Sequence, residues 1–174
     1  MDLSYPIGTF DFQQPVPPES RLDLIDQIAA TPSRVREALY GLTDAQLDTP
    51  YRPGGWTVRQ VVHHLADSHM TSYLRFRFAL TEADPPAKGY DQATWAELPD
   101  ARSAPVENSL EILDGLHKRW VALLRSMGPE DFARTFRHSE LGPLRLDTNL
   151  ALYAWHGRHH VAHITGLRQR MGWK

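Results

Sequence analysis

The stretch YAWHGRHHVAHI, residues 153–164, places His156, His159, His160 and His163 within eight positions. On an α-helix each residue advances about 100°, so positions i and i+4 share a face. His159 and His163 form one such pair, and His156 and His160 form another. An i, i+4 histidine pair can grip one divalent ion from a single helix, as the H-E-x-x-H zinc motif does. Two imidazoles make a weak site, so a third ligand has to come from elsewhere. The segment GGWTVRQVVHHLADSHM, residues 54–70, offers His63, His64 and His69. The two segments meet only if their helices pack side by side, so reading the histidines is also reading the fold.

Outward from these two segments the chain is a series of long amphipathic helices. A first helical pattern runs from Glu19 to Leu42 through Leu22, Leu24, Ile25, Ile28, Val35 and Leu39. Thr31-Pro32 reads as an N-cap and first-turn pair, which predicts a kink or two abutting helices. After a connector with a helical turn following Thr43, a second helix starts near Thr57 and stops at ADPPAKG, about Glu82. Residues 88–105 read as irregular, with one turn around Gln92–Leu98. A third helix fits Val106–Met127. Residues 132–145 are a connector with a short hairpin around Leu141-Gly142-Pro143, and a fourth helix fits Asp147–Met171 with Asp147 as N-cap. Four long helices and little strand signal predict an all-α four-helix bundle; the long connectors after the second and third helices predict at least one crossover. Residues 1–174 fit a single domain, and residues 1–19, with Pro6, Pro15, Pro17 and Pro18, read as an extended N-terminal arm.

The bulk numbers narrow the function. A net charge of −2 and the lack of any basic run argue against nucleic acid and point to small molecules or another protein chain as partners. With no cysteine, disulfides, cysteine zinc sites and a cysteine nucleophile are excluded, and any sulfur chemistry needs a bound thiol. The first twenty residues lack the basic start and apolar run of a signal peptide, and no stretch suits a bilayer, so the expected location is the cytoplasm.

Three neutral imidazoles would leave a divalent ion its full charge and open positions, which is the catalytic rather than the structural pattern. The competing reading is a histidine cluster on an exposed face, and for His117 and His138 a merely hydrogen-bonded core histidine is favoured. Periodicity does not choose the ligands. On the fourth helix His156 and His160 lie near the middle of the apolar stripe, with His159 and His163 on its edge. On the second helix His69 points along the stripe, His64 is to one side and His63 looks outward. Asp67, three residues after His64, suits either an acceptor for a ligand imidazole or a surface charge. Arg52, Arg59 and Arg158 are neighbours in sequence but read first as surface arginines. Trp95, Trp120, Trp155 and Trp173 read as core.

PYRPGGWTVRQVVHHLADSHM together with YAWHGRHHVAHI resembles the DinB/YfiT-like superfamily of metal-binding four-helix bundles, and the YfiT-type branch most closely. The likeness extends to LSYPIG, LDTPYR, ELPD, LHKRWVALLR and the terminal RMGW. The resemblance implies an up-down-down-up bundle, a homodimer, and one divalent metal ion, zinc or nickel, on three histidines. Its pattern takes the histidine eight residues after a tryptophan, here His64 after Trp56, and an H-x3-H whose second histidine precedes an aliphatic residue, here His159 and His163. It further implies a metal-dependent hydrolase that activates water, or S-transfer of a low-molecular-weight thiol of the bacillithiol type onto electrophiles. A non-catalytic, metal-stabilised dimeric bundle is the third reading.

Overall fold

In the computed structural model, which describes residues 2–173, four long helices carry the fold: α1 (Arg21–Leu39), α3 (Val58–Thr81), α6 (Val106–Ser126) and α8 (Leu146–Met171). Short helices fill the connectors: α2 (Asp44–Leu47), α4 (Gln92–Ala96), α5 (Pro99–Ser103) and α7 (Pro129–Ala133). A small sheet closes one end. Its strands β2 (Thr135–His138) and β3 (Gly142–Arg145) form the expected hairpin, and β1 (Pro86–Ala87) adds in parallel to β2.

Side-chain pairs fix the helix directions. Thr31 meets Gly157, and Arg168 reaches the carbonyl of Ala38, so α1 and α8 run the same way. His63 meets Ser109 and His69 meets His117, so α3 and α6 are parallel. Arg36 on Asp114 and Arg125 on Asp26 make α1 and α6 antiparallel, as Ser68 on Tyr153 and Asn149 on Ser72 do for α3 and α8. The bundle is therefore up-down-down-up, and the connections from α1 to α3 and from α6 to α8 join helices that are opposed.

Local chemistry sets the helix ends. Thr57 caps α3 by accepting from the Gln60 N–H, while the Gln60 side chain returns to the Thr57 N–H; Thr43 and Gln46 repeat this capping box on α2. α8 begins one residue earlier than the sequence predicts, with Arg145 at the N-cap; Asp147 lies inside the first turn and pairs with Arg145 at 2.7 Å. Gly172, at φ 65°, ends α8 in the left-handed region.

Pro32 neither ends nor splits α1, which is one helix. Proline has no N–H to give to the carbonyl four residues back, so the Ile28 carbonyl is left without its helical donor. His117 Nδ1 supplies one from α6 at 2.8 Å. Thr31 is not a cap; its hydroxyl donates to the Gln27 carbonyl. The packing partner thus replaces the bond that the proline removed.

The core falls into two apolar halves. One holds Ile25, Ile28, Phe76, Trp120, Leu124 and Leu150; the other holds Val35, Val58, Val62, Leu65, Leu113, Ile164 and Leu167. Between them, on all four helices, lies a polar layer containing Thr31, His64, His69, His117, His156 and His160. Gly157 brings α8 against α1 at this level: a Cβ there would come within 2.6 Å of Thr31 Oγ1.

Candidate metal centre

Helices α3, α6 and α8 bring seven of the nine histidines into or beside this layer. Two groups have ligand nitrogens within 4.8 Å of one another: His64 with His156 and His160, and His159 with His160 and His163. His64, His159 and His163 form no such group among the described residues. Periodicity had placed His156 and His160 at the middle of the buried stripe, and they face α3 from there. His159 and His163 lie further round α8, against the N-terminal arm.

Burial makes these rings weak bases. It pushes His64 and His117 down to about 4, and it holds His69, His156 and His160 well below the ordinary value, with repulsion from neighbouring rings adding to it. At neutral pH each ring is therefore uncharged and carries one N–H. The proton positions then follow from a fixed end. The Ile28 carbonyl can only accept, so His117 Nδ1 carries the proton. His117 Nε2 accepts from His69 Nδ1–H at 2.9 Å, and His69 Nε2 accepts from His156 Nδ1–H at 3.1 Å. The lone pair of His156 is left on Nε2, which lies 3.3 Å from His64 Nε2.

A second chain ends in the same way. The Ser4 carbonyl accepts from His163 Nε2–H at 3.2 Å, and His163 Nδ1 accepts from His160 Nδ1–H at 3.3 Å. The lone pair of His160 is thereby left on Nε2. Both chains start at a backbone carbonyl, and each ends on a histidine of the group that contains His64, leaving its Nε2 unprotonated. In the other group both nitrogens of His163 are engaged; His159 Nδ1 is buried without a partner, and its ring stacks on Trp155 at 4.4 Å.

The donor set suits a divalent ion. In a tetrahedral site with metal–nitrogen bonds of about 2.0–2.1 Å, ligand nitrogens stand about 3.3 Å apart, which is the His64–His156 separation. Imidazoles alone suit zinc, nickel, copper or cobalt. No carboxylate is hydrogen-bonded to these rings among the described residues; the second ring nitrogens are held by other histidines and by carbonyls. Asp67 touches none of them, and burial, with repulsion from Asp100, raises its carboxyl to about 6.

Other sequence expectations are redistributed. His63 is buried, not outward, between Ser109 and the Ala104 carbonyl. His117 is hydrogen-bonded core, as expected, but it is also the base of the first chain. Arg59 is a buried structural residue held by Asp48 and Asp44, while Arg52 and Arg158 bond to groups close in sequence. Of the four tryptophans expected in the core, Trp95, Trp120, Trp155 and Trp173, only Trp120 is fully buried, and Trp95 is 38% exposed. The arm lies on α8, with Ser4 on His163 and Phe10 6.0 Å from Trp155.

Fold and centre together define a four-helix bundle built around clustered histidines from antiparallel helices. The chain belongs to the DinB superfamily, whose pattern matches residues 27–164. A protein of Bacillus cereus strain B4264, provisionally named a metal-dependent hydrolase, is 54% identical over 172 residues, covering 99% of each chain. A protein of Bacillus thuringiensis subsp. konkukian strain 97-27 with the same provisional name is also 54% identical over 172 residues, covering 99% of each. The solved structure of YfiT from Bacillus subtilis, described as an unusual four-helix bundle and provisionally as a metal-dependent hydrolase, superimposes with a TM-score of 0.96 at 47% identity over all of both chains. A four-helix bundle protein called TT2238 shares the fold at 21% identity and a TM-score of 0.57, over 81% of this chain and 94% of its own. No helix among the described residues is long and apolar enough to cross a membrane.

Proposed function

We propose that the chain is a metal-dependent enzyme holding one divalent ion on His64, His156 and His160. The observation that carries this is the pair of histidine chains, which leave Nε2 unprotonated on His156 and on His160, the two residues grouped with His64. This ligand set differs from His64, His159 and His163, the set implied by resemblance. His160 belongs to both close groups, but only His156 comes within ligand range of His64 together with it. A divalent cation there supplies Lewis acidity, lowering the pKa of a thiol or water brought to it.

The reaction we favour is S-transfer from a low-molecular-weight thiol, of the bacillithiol type, to an electrophilic carbon. The sulfur forms the new bond, the leaving group departs with the bonding pair, and the thiol proton goes to solvent. No carboxylate stands at the three rings to take a proton from water, and a thiol, with a pKa near ~8.5, needs less help than water. Hydrolysis is the second reading. The provisional names of the relatives support it. We also propose a homodimer in the cytoplasm. Met70, Leu74 and Phe78, exposed by 41%, 46% and 48% along one face of α3, support the dimer, and sedimentation measures it.

Metal-loaded protein incubated with bacillithiol, glutathione or cysteine and a chlorinated aromatic tests the two reactions. Conjugation above the uncatalysed rate, lost in His160→Ala, supports transfer. Ester or amide turnover without thiol, lost in the same variant, supports hydrolysis. Neither activity, with metal bound, leaves a metal-stabilised dimeric bundle.

A further inference from the structure

Arg75 on α3 is only 8% exposed, yet its Nε makes no hydrogen bond and no carboxylate pairs with its guanidinium among the described residues. The contrast is Arg59 on the same helix, equally buried and gripped by Asp48 at 2.7 Å and Asp44 at 3.2 Å. A buried charge without a partner destabilises a fold. The Phe136 ring, 5.9 Å from the guanidinium carbon, offsets only a little of this.

Arg75 lines a cavity of about 170 Å³ with Ser68, Tyr90, His138, Tyr153 and His156. His156 joins this cavity to the metal centre. His138 Nδ1 accepts the N–H groups of Glu140 and Leu141 at 3.2 and 3.4 Å, so the neutral ring keeps its proton on Nε2 as a second donor. The acidic group on the wall is Glu140, which is exposed. Two tyrosine rings and Leu152 give the cavity apolar sides. Ser68 and Arg75 lie seven residues apart, about 10 Å of helix, so the space is elongated. A cavity of about 150 Å³ accepts benzene.

We infer that this cavity is a binding site for an organic carboxylate, held by Arg75, with the rest of the molecule directed toward His156. A planar carboxylate matches the guanidinium fork and supplies the missing counter-charge. The inference deepens the proposed function by naming an acid as substrate or cosubstrate. It rests on that reading only for which end of the acid reacts; the contact with Arg75 needs no ion.

The test is calorimetric titration with phenylacetate and with phenylacetamide, which has the same shape and no charge. Wild type, Arg75→Gln and Arg75→Lys are each titrated metal-loaded and after chelation. The inference expects wild type to bind the acid at least about tenfold more tightly than the amide in both metal states. Arg75→Gln should lose that preference, and Arg75→Lys should keep part of it. Equal affinity for acid and amide, no binding of the acid, or an unchanged preference in Arg75→Gln overturns it. Acid binding abolished by chelation but untouched in Arg75→Gln puts the carboxylate on the ion; this overturns the subsite and leaves the metal reading standing. Arg75-dependent binding in a protein whose metal content does not depend on His156 or His160 keeps the subsite and overturns the ligand assignment. Arg75→Met supplies a readout without ligand. Removing an unpaired buried charge should raise Tm by about 2–4 °C, whereas a lower Tm would mark Arg75 as structural and count against the site.

Discussion

His69→Leu cuts the first histidine chain in its middle without touching a proposed ligand nitrogen. In wild type His69 Nδ1 donates to His117 at 2.9 Å, and His69 Nε2 accepts from His156 at 3.1 Å. Leucine is apolar and similar in size, so the layer stays filled while His117 Nε2 and His156 Nδ1 lose their partners. A buried polar group left unsatisfied costs about 1–3 kcal/mol. His117, 2% exposed, bears that in full; His156 is only partly buried and recovers some of it from water. The net loss is about 2–4 kcal/mol, read by urea unfolding of the metal-free protein. The second effect is on the ion. Without His69, His156 is free to carry its proton on Nε2, and metal affinity should fall by about 10–100-fold, as loss of a partner behind a ligating histidine does elsewhere. Competition with a coloured chelator at pH 7 measures it. His117→Leu, one link further away, should move metal affinity the same way by a smaller factor. An affinity for zinc or nickel within about twofold of wild type in a folded His69→Leu protein would refute the argument that the chain sets the ligand tautomer.

Two further outcomes follow from the same geometry. His64, His117, His159 and His163 are held down to about 4 by burial, against 6.5 for a free ring. The unfolded chain therefore binds more protons between these values, so stability is full above about pH 6.5 and falls as the pH drops toward 4; thermal melts of metal-free protein should show Tm falling through this window, and a flat profile would contradict it. Gly157→Ala puts a Cβ within 2.6 Å of Thr31 Oγ1 and 2.9 Å of its Cγ2, so α8 must shift from α1. The expected cost is about 1–3 kcal/mol by urea unfolding, and a variant as stable as wild type would show that the contact yields freely.

Much of the bundle was legible because its signals are local. Thr57 and Gly54-Gly55 mark where α3 begins, and the apolar stripe of α6 fixes its length. Leu141-Gly142-Pro143 announces the hairpin. Pro32 misled because its consequence is not local: the carbonyl it frees is satisfied by His117, 89 residues away, and only the finished packing shows that one helix can continue through it. Strand β1 was missed because two residues carry no period and its partner is distant. The histidine centre was visible as composition, and the helix phase already set His156 and His160 at the middle of the stripe. What phase cannot give is the proton on each ring, which depends on Ile28 and Ser4 at the ends of two chains. Arg75 gave no sequence signal; an arginine on an amphipathic helix reads as surface until the packing shows it buried and, among the described residues, paired with no carboxylate.

The central claim is that the ion sits on His64, His156 and His160. An anomalous difference map from a crystal of zinc- or nickel-loaded protein, recorded at the metal's absorption edge, tests it directly. The predicted result is one peak at about 2.0–2.1 Å from a nitrogen of each of these three rings. A peak bonded instead to His159 and His163, or no peak at the layer after loading, would contradict it.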